Sequence, residues 1–464
     1  MNVVPFSPGL KPTNPVEVQS HLCTDVEAAN RFAEAYGPIC RYCPELGWVL
    51  WDGRRWKADA VGDVKQAAAT VAQSYRDTAT EYENPKTAEY LFRWAKQCET
   101  NRGTMNFLEM AKHRMYTPID EFDTKPLCVN TPNTLLSFEH LDKESEVPHF
   151  SDHNSAMNIT KITASPWTMG APANRWNAFL EEIIPSADVR EYLQRAAGYS
   201  ILGLTREQCF FICYGSGLNG KSTFLSVLLK VLGPDYSAQV GAETFMQQRN
   251  DRIRADLARL RGMRLVSAVE TAENRRLDEA LVKSCTGGDP IVAEHKFKEP
   301  FQFYPQFTLW LATNHKPRVL DTSYAMWRRV RLIPFTQTIP VDKVDPDLES
   351  KLLQEREGIM DWVVTGAVHY LRDGLKPPEE VTAASESYRK EEDTLGQFFD
   401  DRCTAAPAAQ ISRSDLYVAY KEWAESNGER PLGQRQFSHL CQERGFDSYK
   451  AHGIRYWVGL EVNP

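Results

Sequence analysis

Gly215-Ser216-Gly217-Leu218-Asn219-Gly220-Lys221-Ser222 constrains this chain more than any other segment. It matches G-x-x-x-x-G-K-[ST] in full. The flanks fit as well. Cys209-Phe210-Phe211-Ile212-Cys213-Tyr214 reads as a buried strand, and Ser222 to Leu232 reads as a helix stopped by Gly233-Pro234. A strand, a Gly-rich loop and a helix N-terminus together make an anion site, because backbone N–H groups and the helix dipole converge on one point. Gly215 through Ser222, with Thr223, are therefore expected to wrap a nucleoside triphosphate. Lys221 reaches its β- and γ-phosphates and Ser222 holds Mg²⁺.

A P-loop alone does not choose among kinases, GTPases, transporters and motors. The following strands narrow the choice. Arg264-Leu265-Val266-Ser267-Ala268-Val269-Glu270 reads as a second buried strand tipped by an acid, the place for a carboxylate that orients Mg²⁺ and the attacking water. Glu273 is either a second acid or a surface ion-pair partner. Phe307-Thr308-Leu309-Trp310-Leu311-Ala312-Thr313 is a third apolar run and ends in Asn314, an amide suited to sensing a γ-phosphate. Asn314-His315-Lys316-Pro317 lacks the acid that reads guanine, which removes a GTPase. Arg328 and Arg329 precede a further strand that runs to Phe335. They serve either as a charge that stabilises phosphoryl transfer from outside its own subunit or as a solvated strand end. Apolar runs alternating with helical patterns predict a parallel α/β sheet over 206–345.

The 464 residues allow two to four domains. Charged residues are 25% and hydrophobic ones 42%, a folded composition. No apolar run approaches a membrane span, and Met1-Asn2-Val3-Val4-Pro5 is not a signal peptide, so a cytoplasm (that of a bacterial host) is the expected place. The net charge of -8 requires any nucleic-acid contact to be made through local patches. Ten scattered cysteines are not a disulfide framework. His21, Cys23, Cys40 and Cys43 include one C-x-x-C pair but no second, so buried thiols are favoured over zinc.

Ahead of the sheet, helices are predicted over Asp25 to Tyr36, Val64 to Tyr82 and Thr87 to Met115. Trp48, Trp51 and Trp56 surround an Asp52-Gly53 hairpin turn and read as core. A short strand and a polar loop precede helices at Trp176 to Ile184 and Ala187 to Leu202. Helices continue from Asp347 to Gly374. Lys376-Pro377-Pro378 and Lys390-Glu391-Glu392-Asp393 mark a linker. Beyond it, a helix from Ser412, with Leu416, Ala419, Tyr420 and Trp423 on one face, a second helix from Gly433 to Arg444 and a hairpin from Tyr449 to Val458 suggest a winged helix. Arg435, His439, Lys450 and Arg455 would then contact DNA, unless the module packs against protein.

These residues together resemble superfamily 3 helicases of the AAA+ class, specifically the helicase part of phage and plasmid primase-helicases. The resemblance rests on Tyr192-Leu193-Gln194-Arg195-Ala196-Ala197-Gly198-Tyr199, the P-loop, Leu281 to Asp289, Ala312 to Pro317, and Trp327-Arg328-Arg329 leading to Ile333-Pro334-Phe335. It also takes in Thr24-Asp25-Val26 and Trp48 to Trp56, and so covers most of the chain from about residue 20. It implies an N-terminal α+β domain (1–125), a connecting and helical collar region (126–205) and an AAA+ core (206–345). A helical extension and linker (346–394) and a winged helix (395–464) follow.

The resemblance further implies ATP with Mg²⁺, the metal held by Ser222 and Glu270. It implies a ring, usually hexameric, with Arg328 or Arg329 reaching a neighbour's site. Single-stranded or forked DNA would be gripped in the pore by His295, Lys296 and Lys298, Lys296 leading. Asp120-Glu121-Phe122-Asp123 lacks the strand that a primase carboxylate pair needs. The expected function is therefore an ATP-driven replicative helicase served by a separate primase or polymerase. A bifunctional primase-helicase and an origin-binding or loader ATPase stay open.

Overall fold

The computed structural model describes residues 23–141, 144–248, 255–270, 275–294 and 299–463. Helix α1 (Asp25–Tyr36) is capped by Thr24, whose Oγ1 accepts from the Glu27 amide at 3.2 Å. Strands β1 (Cys40–Cys43), β2 (Gly47–Trp51) and β3 (Trp56–Ala58) form an antiparallel sheet. Gly53 turns the β2–β3 hairpin at φ +93°, and the Asp52 carboxylate accepts from the Arg54 and Arg55 amides at 2.9 Å. Trp56 is buried and donates to the Ser155 carbonyl at 2.8 Å.

Helix α2 (Asp63–Thr80) is followed by α3 (Pro85–Cys98) and α4 (Asn101–Arg114). The single helix expected from Thr87 to Met115 is thus two. Thr100 Oγ1 accepts from the Gly103 amide at 3.0 Å, and this local bond starts a new helix in place of continuing the old one. Cys40 and Cys43, at opposite ends of β1, are buried in different apolar clusters. Burial pushes the Cys40 thiol up to about 12. Cys23 is buried too, and His21 lies outside the described residues.

Asp120 and Glu121 lie in a 3-10 turn, and the Asp123 carboxylate accepts from the Thr160 amide at 2.8 Å. The next segment, read as one short strand and a loop, is a three-stranded antiparallel sheet: β4 (Cys128–Asn130), β5 (Leu135–Ser137) and β6 (His149–Ser151). Strands this short, one of them wholly exposed, carry no readable alternation and depend on their pairing. Helices α5 (Asn174–Ile183) and α6 (Ala187–Ile201) lead into the core.

The core elements are β7 (Phe210–Tyr214), α7 (Lys221–Leu232), β8 (Ser237–Gly241), α8 (Ala255–Ala258), β9 (Leu265–Glu270) and α9 (Glu279–Gly287). They continue as the hairpin β10 (Ile291–Ala293) and β11 (Phe301–Phe303), then β12 (Thr308–Thr313), α10 (Tyr324–Trp327) and β13 (Val330–Pro334). Five strands form one sheet in the order β13-β7-β12-β9-β8, every neighbouring pair parallel. Its inner strands β7, β12 and β9 are buried on both faces, as helices on either side require.

Helices α11 (Leu348–Leu352), α12 (Arg356–Asp373) and α13 (Glu379–Glu392) follow. The stretch read as linker is therefore largely helical. Helix α13 covers the sheet edge: Ser385 Oγ accepts from the Leu332 amide at 2.9 Å, and Tyr388 is buried edge-on against Trp327. A strand edge left bare would expose its unpaired backbone groups, which is why a charged, unremarkable sequence becomes a helix here.

The C-terminal module comprises α14 (Thr394–Arg402), β14 (Cys403–Ser412), α15 (Arg413–Ser426), α16 (Gln434–Glu443), β15 (Ser448–Ala451) and β16 (Ile454–Val462). Its sheet runs β14-β16-β15, antiparallel, with β14 an addition to the expected hairpin. Leu416, Tyr420, Trp423, Phe398, Phe437 and Trp457 are its core. Among the described residues, no helix is long and apolar enough to cross a membrane.

Helices α6 and α12 cross with their backbones in contact. A Cβ on Gly198 would lie 1.9 Å from the Ala367 nitrogen, and one on Gly366 would lie 2.0 Å from the Gln194 carbonyl oxygen. Rigid backbone cannot make room, so Gly198→Ala is expected to destabilise the fold by about 3 kcal/mol. Denaturant unfolding measures this; unchanged stability would show that the helices part without cost.

Candidate nucleotide-binding site

The site begins with register. In a parallel sheet all strands deliver their C-terminal ends to one edge, where ligands of open α/β sheets bind. Here Tyr214 pairs with Thr313, and Thr313 pairs with Glu270. Gly215, Asn314 and the acid-tipped end of β9 thus meet at one edge, although 55 positions separate Gly215 from Glu270 and 99 separate it from Asn314. The Asn-tipped strand stands between the P-loop strand and the acid-tipped strand.

Helix α7 starts at Lys221 behind Gly220, which adopts φ +78° and supplies no side-chain cap. Its first amides are left to an external acceptor, which is what a phosphate cradle needs. Gly215 is equally constrained: a Cβ there would lie 2.1 Å from Asn219 Nδ2 and 2.3 Å from the Phe335 carbonyl oxygen. Asn219 is buried and braces the loop, donating from Nδ2 to the Phe335 carbonyl at 3.2 Å.

Lys221 is 4% exposed. Its ammonium donates to the Gly215 carbonyl at 2.8 Å, to Asn219 Oδ1 at 2.7 Å and to Asn314 Oδ1 at 3.1 Å. Three neutral acceptors match its three N–H donors. No carboxylate compensates it among these partners, and burial holds its pKa below the usual lysine range. The charge is held ready for an anion. Ser222 and Asn314 are exposed beside it. Glu270 ends β9 at the same edge; its side chain and all of Glu273 lie outside the described residues.

Lys316 was not singled out from the sequence. Its ammonium pairs with Glu391 at 2.6 Å and sits 5.1 Å above the Tyr214 ring. It fixes the loop that carries Asn314 to the strand that carries the P-loop. The partner lies 75 positions away, on the helix read as linker, so no local signal could have found it.

The two candidate arginines separate clearly. Arg329 is buried; its Nε donates to Thr286 Oγ1 at 3.1 Å and its Nη1 donates to the Ala325 carbonyl. Burial first, then the charge of Arg328, hold its pKa below the usual range. Arg328 is exposed and reaches Gln208. Both stand at the start of β13, since the Phe210 amide donates to the Arg329 carbonyl at 2.9 Å. The P-loop begins five residues beyond Phe210, about 16 Å along the strand, farther than an arginine side chain extends. Neither can serve the P-loop of its own chain.

The remaining candidates are basic. His295, Lys296 and Lys298 lie between the antiparallel strands β10 and β11 but outside the described residues. Arg435, His439, Lys450 and Arg455 are all exposed on the C-terminal module. His439 faces Glu443 at 3.6 Å. Lys450 and Arg455 are directly opposite each other on β15 and β16. Like charges so placed repel unless an anion joins them.

Comparison with known proteins finds partial matches along the chain. Residues 29–185 match the family described as D5 N terminal like, 213–329 match a family of unknown function (DUF5906), and 390–442 match Poxvirus D5 protein-like. A protein of Acanthamoeba polyphaga mimivirus named "putative helicase" is 29% identical over 271 residues, which are 54% of this chain and 28% of the relative. A "putative helicase" of Frog virus 3 is 25% identical over 60% of this chain and 31% of its own. A "putative primase" of African swine fever virus is 22% identical over 67% of this chain and 34% of its own. The chain thus spans about a third of the length of these relatives. The solved apo structure of the NrS-1 C terminal region (305-718) covers 64% of this chain and 77% of that one, at 11% identity and a TM-score of 0.39. D5-type family models thus match on either side of the P-loop segment, and the relatives that the chain resembles carry the names helicase and primase.

Proposed function

We propose that this chain is an ATP-dependent replicative DNA helicase of the superfamily 3, AAA+ type, working as a ring with nucleotide sites shared between neighbours. One observation carries the reading: the P-loop lysine and Asn314 lie together at one sheet edge, whereas Arg328, exposed, stands at the opposite end of β13. A site completed by a neighbouring copy uses both. The relatives named as helicases, and the position of Asn314 between the P-loop and Glu270, support it.

In this reading the amides at the start of α7 and the Lys221 ammonium bind the triphosphate, exchanging neutral acceptors for anionic ones. Asn314, released from Lys221, orients the water that attacks the γ-phosphate. Glu270 draws on that water's proton. The neighbour's Arg328 meets the charge that develops in the transition state. Ser222 and Glu270 would hold Mg²⁺, which would supply positive charge to the triphosphate. Arg329, locked in its own subunit by Thr286, sets the backbone from which Arg328 projects. Lys296, with His295 and Lys298, grips one DNA strand between β10 and β11, and the C-terminal winged helix contacts DNA through Arg435, Lys450 and Arg455. The Asp123 carboxylate is engaged by Thr160, which favours the helicase reading over primer synthesis.

Glu270→Gln is expected to bind ATP with near-normal affinity but to hydrolyse it at least about a hundredfold more slowly; normal turnover in a steady-state assay refutes the assignment. Arg328→Ala alone is expected to lose at least about a thousandfold in ATP turnover. Mixing it with Lys221→Ala subunits should restore part of it, whereas Arg329→Ala should lower thermal stability and stay unrescued. Absence of Arg328→Ala rescue at every mixing ratio argues against shared sites. Lys296→Ala should keep ATP hydrolysis and lose strand displacement on a forked duplex; intact unwinding removes it from the pore.

A further inference from the structure

A cleft of about 270 Å³ opens between the start of β13 and α13, bordered by Tyr324, Trp327, Arg328, Arg331, Glu386 and Arg389. Three guanidinium groups share it with one carboxylate, in a chain whose net charge is -8. The carboxylate does little to offset them. Glu386 lies 3.7 Å from Arg389, one turn away on the same helix, and both are substantially exposed. Arg331 donates from Nη1 to the carbonyls of Arg328 at 2.8 Å and Val330 at 3.2 Å, while its buried Nε has no hydrogen-bond partner. Cations gathered this way repel one another, and guanidinium forks match phosphate oxygens in pairs. The cleft has the chemistry of a polyphosphate site.

Its own P-loop cannot supply that polyphosphate, because Arg328 lies about 16 Å of strand away from it. We propose that the cleft receives the triphosphate of a nucleotide seated on the neighbouring copy's P-loop, and that Arg389 is a second residue acting across the subunit boundary, binding that triphosphate beside Arg328. This rests on the shared-site reading above. The roles divide by position. Arg328, projecting from the strand end, meets the reacting γ-phosphate. Arg389, on the opposite wall of the cleft, holds phosphate in ground state and transition state alike. Uniform binding of this kind changes KM and leaves kcat nearly alone.

The test is steady-state ATP hydrolysis by the full chain over a range of ATP concentrations. R389A is expected to raise KM for ATP about tenfold or more with kcat within about threefold, as loss of one charge-assisted contact implies. R389K, which keeps the charge without the fork, should fall between. Mixing R389A with K221A subunits should bring KM back toward the wild-type value, since a K221A neighbour still offers an intact Arg389. A wild-type KM in R389A overturns the proposal. So does a raised KM that mixing fails to lower while R328A is rescued, because Arg389 then acts inside its own subunit. So does weakened binding of a single-stranded oligonucleotide with an unchanged KM, which would make the cleft a nucleic-acid surface. Failure of R328A rescue removes the shared site itself, and the proposal with it.

Discussion

The buried ammonium of Lys221 organises the P-loop end of this molecule. A lysine charge removed from water needs acceptors, and here it has three, each from a different part of the site: the first P-loop residue, the loop's own Asn219 and the tip of β12. That contact is possible only because β12 lies beside β7 in parallel, with Thr313 level with Tyr214. A slip of one residue would turn every side chain of the strand over and withdraw Asn314 from the lysine. Register, burial and the polar triad are one constraint.

The same logic separates two adjacent arginines. Arg329 is satisfied within its own fold, by a threonine on α9 and a carbonyl on α10, and works as a strut. Arg328 is left at the surface, at the sheet end remote from the P-loop. Both lie in the turn between α10 and β13, with Arg328 still in helical geometry as the cap of α10, and there one side chain turns inward and the other outward.

The loop beginning at Asn314 also ties the P-loop edge of the sheet to the rest of the chain. Lys316 pairs with Glu391, the Tyr388 hydroxyl donates to the Pro317 carbonyl, and Arg318 reaches Glu429 of the C-terminal module at 3.1 Å. Hydrogen bonding to Glu429 raises the Arg318 pKa further. Helix α13 is the common bracket: it covers β13, holds this loop and carries Arg389 toward the cleft.

The P-loop, the acid-tipped and Asn-tipped strands and most helices were legible in the residues because their signals are local: a glycine pattern, an apolar run, a cap. Asn314 and Glu270 could be named, and so could the pair Arg328–Arg329. What the chain alone did not reveal was set by contacts between distant segments. Thr100 broke a predicted helix by a bond of its own, but the β4-β5-β6 sheet exists through pairing, and α13 through the sheet edge it covers. The choice of Arg328 over Arg329 required knowing which one is buried. The Arg389 cleft required a helix that composition had presented as a linker. Sequence determined which groups are available for phosphate chemistry. Tertiary structure decided which of them share a site, because burial and strand order depend on partners that stand as much as a hundred residues apart.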